Sequence, residues 1–303
     1  MFKKFFSNLS IYRQDLKEKG LLRSITDRLR RNKTFNRFYN FFKSDKINFN
    51  GLTLFIDKED TVVSECLLRT KQWEPFEMSI FKQCLHLGDT IVDLGAHIGT
   101  YTLTASSLVG KNGHVFAFEP SPRNYALLSK NVSFNHLKNV SAINQAVTDQ
   151  VGSLNFYLEA ENTGDNRIYG DSHSQKTIKV KTVNLDSFFK KKSNQINLIK
   201  MDIQGAEPLA LKGAAQLLKK NKDIIIFIEF WPHGLSMTGS SSSELIKLLS
   251  GYGFEFYEIN ETEKNVSQIS AASILKRYKQ DSLEMTNLVC GKHGNKRLSG
   301  LIS

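Results

Sequence analysis

The chain reads as an α/β protein built on a doubly wound, mostly parallel sheet, with a β-hairpin insertion and a helical amino-terminal arm. Three observations predict this. A strand, a glycine turn and a helix follow one another over residues 90–101, TIVDLGAHIGTY. Strand and helix patterns then alternate over residues 91–146 and again over 196–259, which implies right-handed crossovers between parallel strands. Residues 224–230, IIIFIEF, are apolar on both faces but for one acid, as in a central strand covered from both sides.

Helical spacing opens the chain. Leu9, Tyr12 and Leu16, then Leu22, Ile25 and Leu29, recur every three or four residues on either side of Gly20, and Phe35, Phe38, Tyr39, Phe41 and Phe42 make an aromatic knot behind them. Over residues 1–46, thirteen Lys or Arg against four Asp or Glu place +9 of the chain's +11 charge in this appendage. Two readings stay open for a 1–48 arm. It lies on an anionic membrane surface, giving peripheral contact through residues 1–46, or it is a helix pair packed on the domain or on a second copy of it with its charges solvated. The rest of the chain is near neutral, which disfavours nucleic acid as a partner.

The elements follow in order. Residues 52–57 and 60–64 read as short strands and 73–87 as a helix, with Phe76, Ile80 and Phe81 on one face. Next come strand 91–93, helix 100–109, strand 115–118, helix 122–135 and strand 140–146. Residues 152–158 and 177–183 have the period of two that marks a hairpin, joined by a polar loop over 159–176. A loop of that length inside a domain is often functional, and Asn162, Asp165 and Asn166 supply groups for a polar ligand. Alternation resumes with strand 196–202, helix 206–218 and strand 224–230; a Gly-Ser loop at 239–243 caps helix 244–249. Strands 254–259 and 287–290 close a domain over 49–295, and residues 296–303 form a polar tail.

The glycine turn limits the ligand. A dinucleotide fingerprint needs glycine where His97 and Thr100 stand, so a pyrophosphate does not fit. What remains is Asp93 two residues before Gly95, then Gly99, then a second strand ending in Glu119. An acid at that strand end can accept hydrogen bonds from ribose hydroxyls, so the turn suits a nucleoside without a pyrophosphate, such as S-adenosylmethionine.

Composition removes other classes. With 40% hydrophobic and 23% charged residues the chain is that of a globular protein, and its longest apolar run is far too short to span a bilayer. No signal peptide is recognisable, so a cytoplasmic location, at most peripheral to the inner face of the membrane, is expected. Cys66, Cys84 and Cys290 have neither disulfide nor metal-ligand spacing, and no bound metal is expected.

In an open α/β sheet the ligand sits beyond the carboxyl ends of the strands, here Asp93, Glu119, Gln145 with Ala146, Asp202 and Glu229. The strings VDLGAHIGTYTL, FAFEPSPRNYALLSKNV, NQAVTD, LIKMDIQGAEPLALKGA and IIIFIEF resemble the FkbM-type methyltransferase family over about half the chain. The most specific is K-x-D-x-[EQ]-G-x-E, carried by Lys200, Asp202, Gln204, Gly205 and Glu207. The resemblance implies a class I methyltransferase sheet, S-adenosylmethionine as cofactor, and O-methylation of a sugar, glycan or secondary metabolite. Two positions depart from it: His97 replaces a commoner asparagine and Gln204 a common glutamate.

On this reading Gly95, Ala96 and Gly99 meet the methionine part, Glu119 the ribose, and Gln145, Ala146 and Val147 the adenine edge. Asp93, His97, Tyr101, Pro120, Ser121 and Asp202 are further cofactor contacts. Candidates for the base are Asp202, Glu207, Glu229 and His233, the last because imidazole titrates near neutrality. Asn162, Asp165, Asn166, Gln204 and Trp231 are candidate acceptor contacts. Two rival readings are a catalytically silent cofactor- or glycan-binding module recruited to membranes, and a nucleic-acid ribose methyltransferase. The chain lacks the Asn/Asp-Pro-Pro-aromatic run typical of enzymes that methylate base amines.

Overall fold

The computed structural model describes residues 43–159, 162–170, 176–192, 195–279 and 284–301. Most of the amino-terminal arm, and with it the membrane contact expected there, falls outside the described residues. So do parts of the 159–176 loop.

An eight-stranded sheet carries the domain. Its strands are β3 (Thr90–Leu94), β4 (His114–Phe118), β5 (Val140–Ile143), β9 (Leu198–Met201), β10 (Ile225–Phe230), β11 (Phe254–Asn260), β12 (Asn265–Ile269) and β13 (Thr286–Lys292). Their spatial order is β12-β11-β13-β10-β9-β3-β4-β5, parallel from β10 to β5 and antiparallel beyond β10. The chain winds outward from β3 to β5 and then returns to place β9 on the other side of β3. That reversal is the topological switch point, where a crevice opens beyond the strand ends.

Helices cover both faces. On one, Ile91, Ile225 and Phe227 pack under α1 (Val63–Thr70), α2 (Pro75–Gln83) and α3 (Thr100–Val109). On the other, Val92, Leu94, Ile226 and Ile228 pack under α5 (Leu185–Phe189), α6 (Glu207–Lys212), α7 (Ala215–Lys220), α9 (Ser242–Gly251) and α10 (Ala271–Arg277). Every residue of β10 is buried, because it lies between β9 and β13 and is covered from both sides. α4 (Pro122–Phe134) completes the outer crossover, and α8 (Pro232–Met237) follows β10. On α4 the fully buried Asn131 donates to the Ile98 carbonyl (2.8 Å) and the Phe55 carbonyl (3.0 Å), tying the glycine turn to β2 (Leu52–Phe55).

Several sequence expectations are corrected. β1 (Lys46–Phe49) pairs with β2 where the arm was expected, so the domain reaches back into that stretch. Residues 60–64 are not a strand: the Asp60 carboxylate accepts from the Val62 (2.9 Å) and Ser64 (3.0 Å) amides and starts α1. The β-branched run Thr61-Val62-Val63 imitated a strand. The 140–146 strand divides at residues 144–145, and β6 (Ala146–Val147) leaves the main sheet to join β8 (Lys176–Val183) and β7 (Gly152–Leu158) in a three-stranded one. The helix read over 206–218 is two helices. At the break a Cβ on Gly213 would fall on the Thr148 carbonyl, and the Gly213 carbonyl accepts from Asp186 N (2.8 Å) instead of continuing a helix. β12, α5 and α8 were not anticipated. The polar tail packs on the domain: Leu298 is buried, and the Arg297 guanidinium grips the Asp89 carboxylate and donates to the Cys84 carbonyl at 3.0 Å. Among the described residues no helix is long and apolar enough to cross a membrane.

Candidate active site

One cavity of about 1170 Å³ opens at the switch point, over the carboxyl ends of β3, β4, β9 and β10. Its floor is the glycine turn. Gly95 has φ +80°, and a Cβ there would fall on the Asp202 carbonyl, so only glycine lets β3 and β9 close beneath the cavity. The Gly95 and Ala96 amides both donate to the Phe118 carbonyl at 3.0 Å, locking the turn to β4.

The two acidic strand tips flank this turn. Asp93 is buried and accepts from Thr102 Oγ1 at 2.5 Å; burial raises it to about 6. The Glu119 carboxylate accepts from the backbone amides of Ser121 and His97, each at 2.8 Å, and burial raises it to about 7 despite those bonds. Its wall also holds Asn124, 1% exposed, whose Oδ1 has no hydrogen-bond partner.

His97, at φ +50°, is turned to the loop that follows β7. Its Nε2 lies 2.8 Å from Thr163 Oγ1, which donates to the fully buried Asp60. Asn124 Nδ2 donates to the Thr163 carbonyl at 3.0 Å. Burial depresses the imidazole's pKa, so near neutrality the ring shares a hydrogen bond without charge. Four separate stretches of chain meet here. They hold Asn162, Asp165 and Asn166 on the cavity wall.

Opposite stands a buried charge network. Lys200, 2% exposed, places Nζ 3.3 Å from Glu77, 3.9 Å from Asp202 and 4.8 Å from the centre of the Tyr101 ring. Burial alone would discharge the lysine; Glu77, Asp202 and Glu74 outweigh it and hold its pKa above the ordinary value. The Tyr101 hydroxyl donates to Glu74 at 2.9 Å, and withdrawal from water, then Glu77, raises Glu74 to about 8. Glu261 holds the start of α2 by accepting from the Phe76 (3.2 Å) and Glu77 (2.7 Å) amides.

Next to this network Gln204 Nε2 bridges Asp202 (2.8 Å) and Glu229 (3.0 Å). Burial and Asp202 push Glu229 well above the ordinary carboxylate range. The Glu207 carboxylate is turned away to the Ile203 and Gly205 amides, both at 3.2 Å, where it shapes the turn after β9. Burial raises it to about 7.

Of the residues expected from the sequence, Asp93, Gly95, Ala96, His97, Tyr101 and Glu119 line this cavity, as do Pro120, Gln145, Ala146 and Val147. Asp202, Gln204, Glu229, Trp231 and His233 line it too. Gly99 (φ +103°) and Ser121 do not line it: they cap α3 and α4, and Glu207 is likewise off the wall. Glu74, Asn124, Tyr169 and Lys200 were missed as wall residues. Lys200 stood in view inside its motif. No spacing rule joins Glu74 to it across the sheet.

Fold and site define a Rossmann-like α/β protein, with a cavity at the switch point over a glycine turn that lacks the dinucleotide spacing. The methyltransferase FkbM domain matches residues 93–256, more than half of the chain, and the protein belongs to that family. A Sulfolobus acidocaldarius protein described as a probable cobalt-precorrin-6B C(15)-methyltransferase (decarboxylating) is 29% identical over 105 residues, which cover 35% of this chain. The match spans only 54% of that relative's length. Among solved structures, an rRNA methylase from Streptococcus thermophilus is similar at 11% identity and a TM-score of 0.41, covering 74% of this chain and 98% of that one. A precorrin-6y C5,15-methyltransferase from Geobacter metallireducens is similar at 12% identity and a TM-score of 0.39, covering 72% and 88%.

Proposed function

We propose that the protein is an S-adenosylmethionine-dependent methyltransferase acting on a hydroxyl of a sugar, glycan or secondary metabolite. The observation that carries this reading is the meeting, in one cavity, of the Asp93–Gly95–Glu119 slot with the Asp202–Gln204–Glu229 bridge.

The residues present fit the cofactor. Glu119 and the unpartnered Asn124 Oδ1 are acceptors for hydroxyl or amine donors, as a nucleoside supplies. The acids of the Asp93 and Glu74 wall suit a cation, and the bare Gly95 admits close backbone approach. Glu119 would hold the ribose, Gln145 to Val147 the adenine, and the Gly95–His97 turn with Tyr101 the methionine end. Bound there, S-adenosylmethionine supplies an activated methyl group on a sulfonium.

The protein's own part is alignment and removal of one proton. Asp202 is the candidate base: its side chain is 32% exposed to the cavity, oriented by Gln204 Nε2 and lying beside Lys200. Glu229, buried beside it, acts as a partner to Gln204. His233, on the same wall next to Trp231, is the second side chain able to take a proton. Calorimetry with S-adenosylmethionine and its demethylated product, followed by labelled-methyl transfer to cell extracts, tests the reading. Binding of both and a labelled product in wild type, with transfer lost in Asp202→Asn and kept in His233→Ala, is the expected result. No binding of either nucleoside overturns it.

A further inference from the structure

The cavity is strongly acidic in a chain whose net charge is +11. Among the described residues ten Asp or Glu line it against three Lys or Arg. All three cations are already engaged: Lys200 with Glu77 at 3.3 Å, Arg167 with Asp165 at 2.8 Å, and Arg277 with Glu258. Among the described residues a phosphate, sulfate or carboxylate on the acceptor would therefore meet carboxylates and no uncommitted Lys or Arg. A polyanion such as nucleic acid meets the same wall.

Part of the acidity is matched by the proposed cofactor, which carries one net positive charge and lies along Asp93 and Glu119. The Asp202–Gln204–Glu229 face is left over. There Glu229, 7% exposed, has the neutral Gln204 amide at 3.0 Å as hydrogen-bond partner, so its charge is not compensated by that bond. A buried carboxylate in that state is stabilised by an added cation. The unpartnered Asn124 Oδ1, 1% exposed on the Glu119 side of the same cavity, falls to the proposed cofactor and leaves this face to the acceptor.

We propose that the acceptor is an amine-bearing polyol, an aminated sugar being the simplest case, whose ammonium is held by the Asp202–Gln204–Glu229 face beside the hydroxyl that is methylated. The proposal rests on the transferase reading above and adds the charge of the acceptor. It makes Glu229 a specificity residue: the carboxylate separates an ammonium from its acylated or phosphorylated counterpart.

The test uses the full chain saturated with S-adenosylhomocysteine and titrated calorimetrically with glucosamine, N-acetylglucosamine and glucosamine 6-phosphate. Glucosamine is expected to bind about tenfold tighter than its N-acetyl form, the worth of one partly desolvated charge pair, with the phosphate weakest. Glu229→Gln, shown to be folded by a cooperative melt, should bring the first two within about twofold, and Gln204→Glu should widen the gap. Equal or tighter binding of the N-acetyl or phosphorylated sugar overturns the proposal. So does binding of none of the three by a chain that does bind S-adenosylhomocysteine. A chain that fails to bind S-adenosylhomocysteine fails one step earlier and removes the transferase reading itself.

Discussion

Gly95 shows how one residue decides the site. Its φ of +80° lies in the left-handed region, which costs other residues about 1–2 kcal/mol, and a side chain there would also strike the Asp202 carbonyl. Gly95→Ala is expected to lose binding of S-adenosylhomocysteine by calorimetry and to lower the melting midpoint. Retained affinity would show that the turn is not the nucleoside seat. The raised carboxyls make a second prediction. Asp93 stands at about 6, Glu119 and Glu207 at about 7, and Glu74 at about 8, whereas carboxyls in the unfolded chain titrate near about 4. Between those values the folded chain holds protons that the unfolded chain has released, so stability falls as pH rises through the window. His97 acts in the opposite sense only below about pH 6.5, because its pKa is depressed. Melting without ligand should therefore occur at lower temperature at pH 8 than at about pH 6.5; a rise would show the acids to be compensated in the folded state. These residues were unequally legible. Asp93 and Glu119 are marked in the sequence because they end strands, while Glu74 and Lys200 meet only because α2 crosses the end of β9.

At the scale of elements, the loop between β7 and β8 is held at Arg167 by Tyr157 of β7 and at Thr163 by partners from outside the hairpin. Thr163 is the joint: its amide donates to Asp60 at 3.0 Å, its hydroxyl engages Asp60 and His97, and its carbonyl accepts from Asn124. Thr163→Val removes the hydroxyl and strands the buried His97 Nε2, at about 1–3 kcal/mol, while Asp60 keeps the Val62, Ser64 and Thr163 amides. The variant should expose residues 162–167 to amide exchange and weaken binding of S-adenosylhomocysteine, with the sheet still protected. Unchanged exchange in that segment would contradict the role given to Thr163. The sequence indicated a functional loop through its length and its polar side chains. It did not indicate the partners, since Asp60 lay in a stretch read as a strand. The two helices read as one teach the same lesson: Gly213 is unremarkable by spacing, and only the approach of the Thr148 carbonyl shows why the helix stops there.

Across the whole molecule, stability comes from two apolar layers on one sheet, and the ends of the domain are tied in by polar contacts. Arg297 is the clearest: it neutralises Asp89, which is 4% exposed, just before β3 begins. Arg297→Ala leaves that carboxylate buried and unpaired, a change worth about 3 kcal/mol or more. Chemical denaturation should show a lower midpoint with an unchanged slope; no shift would mean that the tail contributes nothing to the fold. By itself the sequence determined the winding of the sheet, the glycine turn and the acids that end β3 and β4, because these depend on local periodicity and on glycine's freedom from Cβ sterics. Only the tertiary structure decided the antiparallel extension beyond β10, the departure of β6, the docking of the tail and the uneven charge of the cavity wall. Those follow from long-range pairing and burial, which bring together residues such as Glu74 and Lys200 that no spacing along the chain connects.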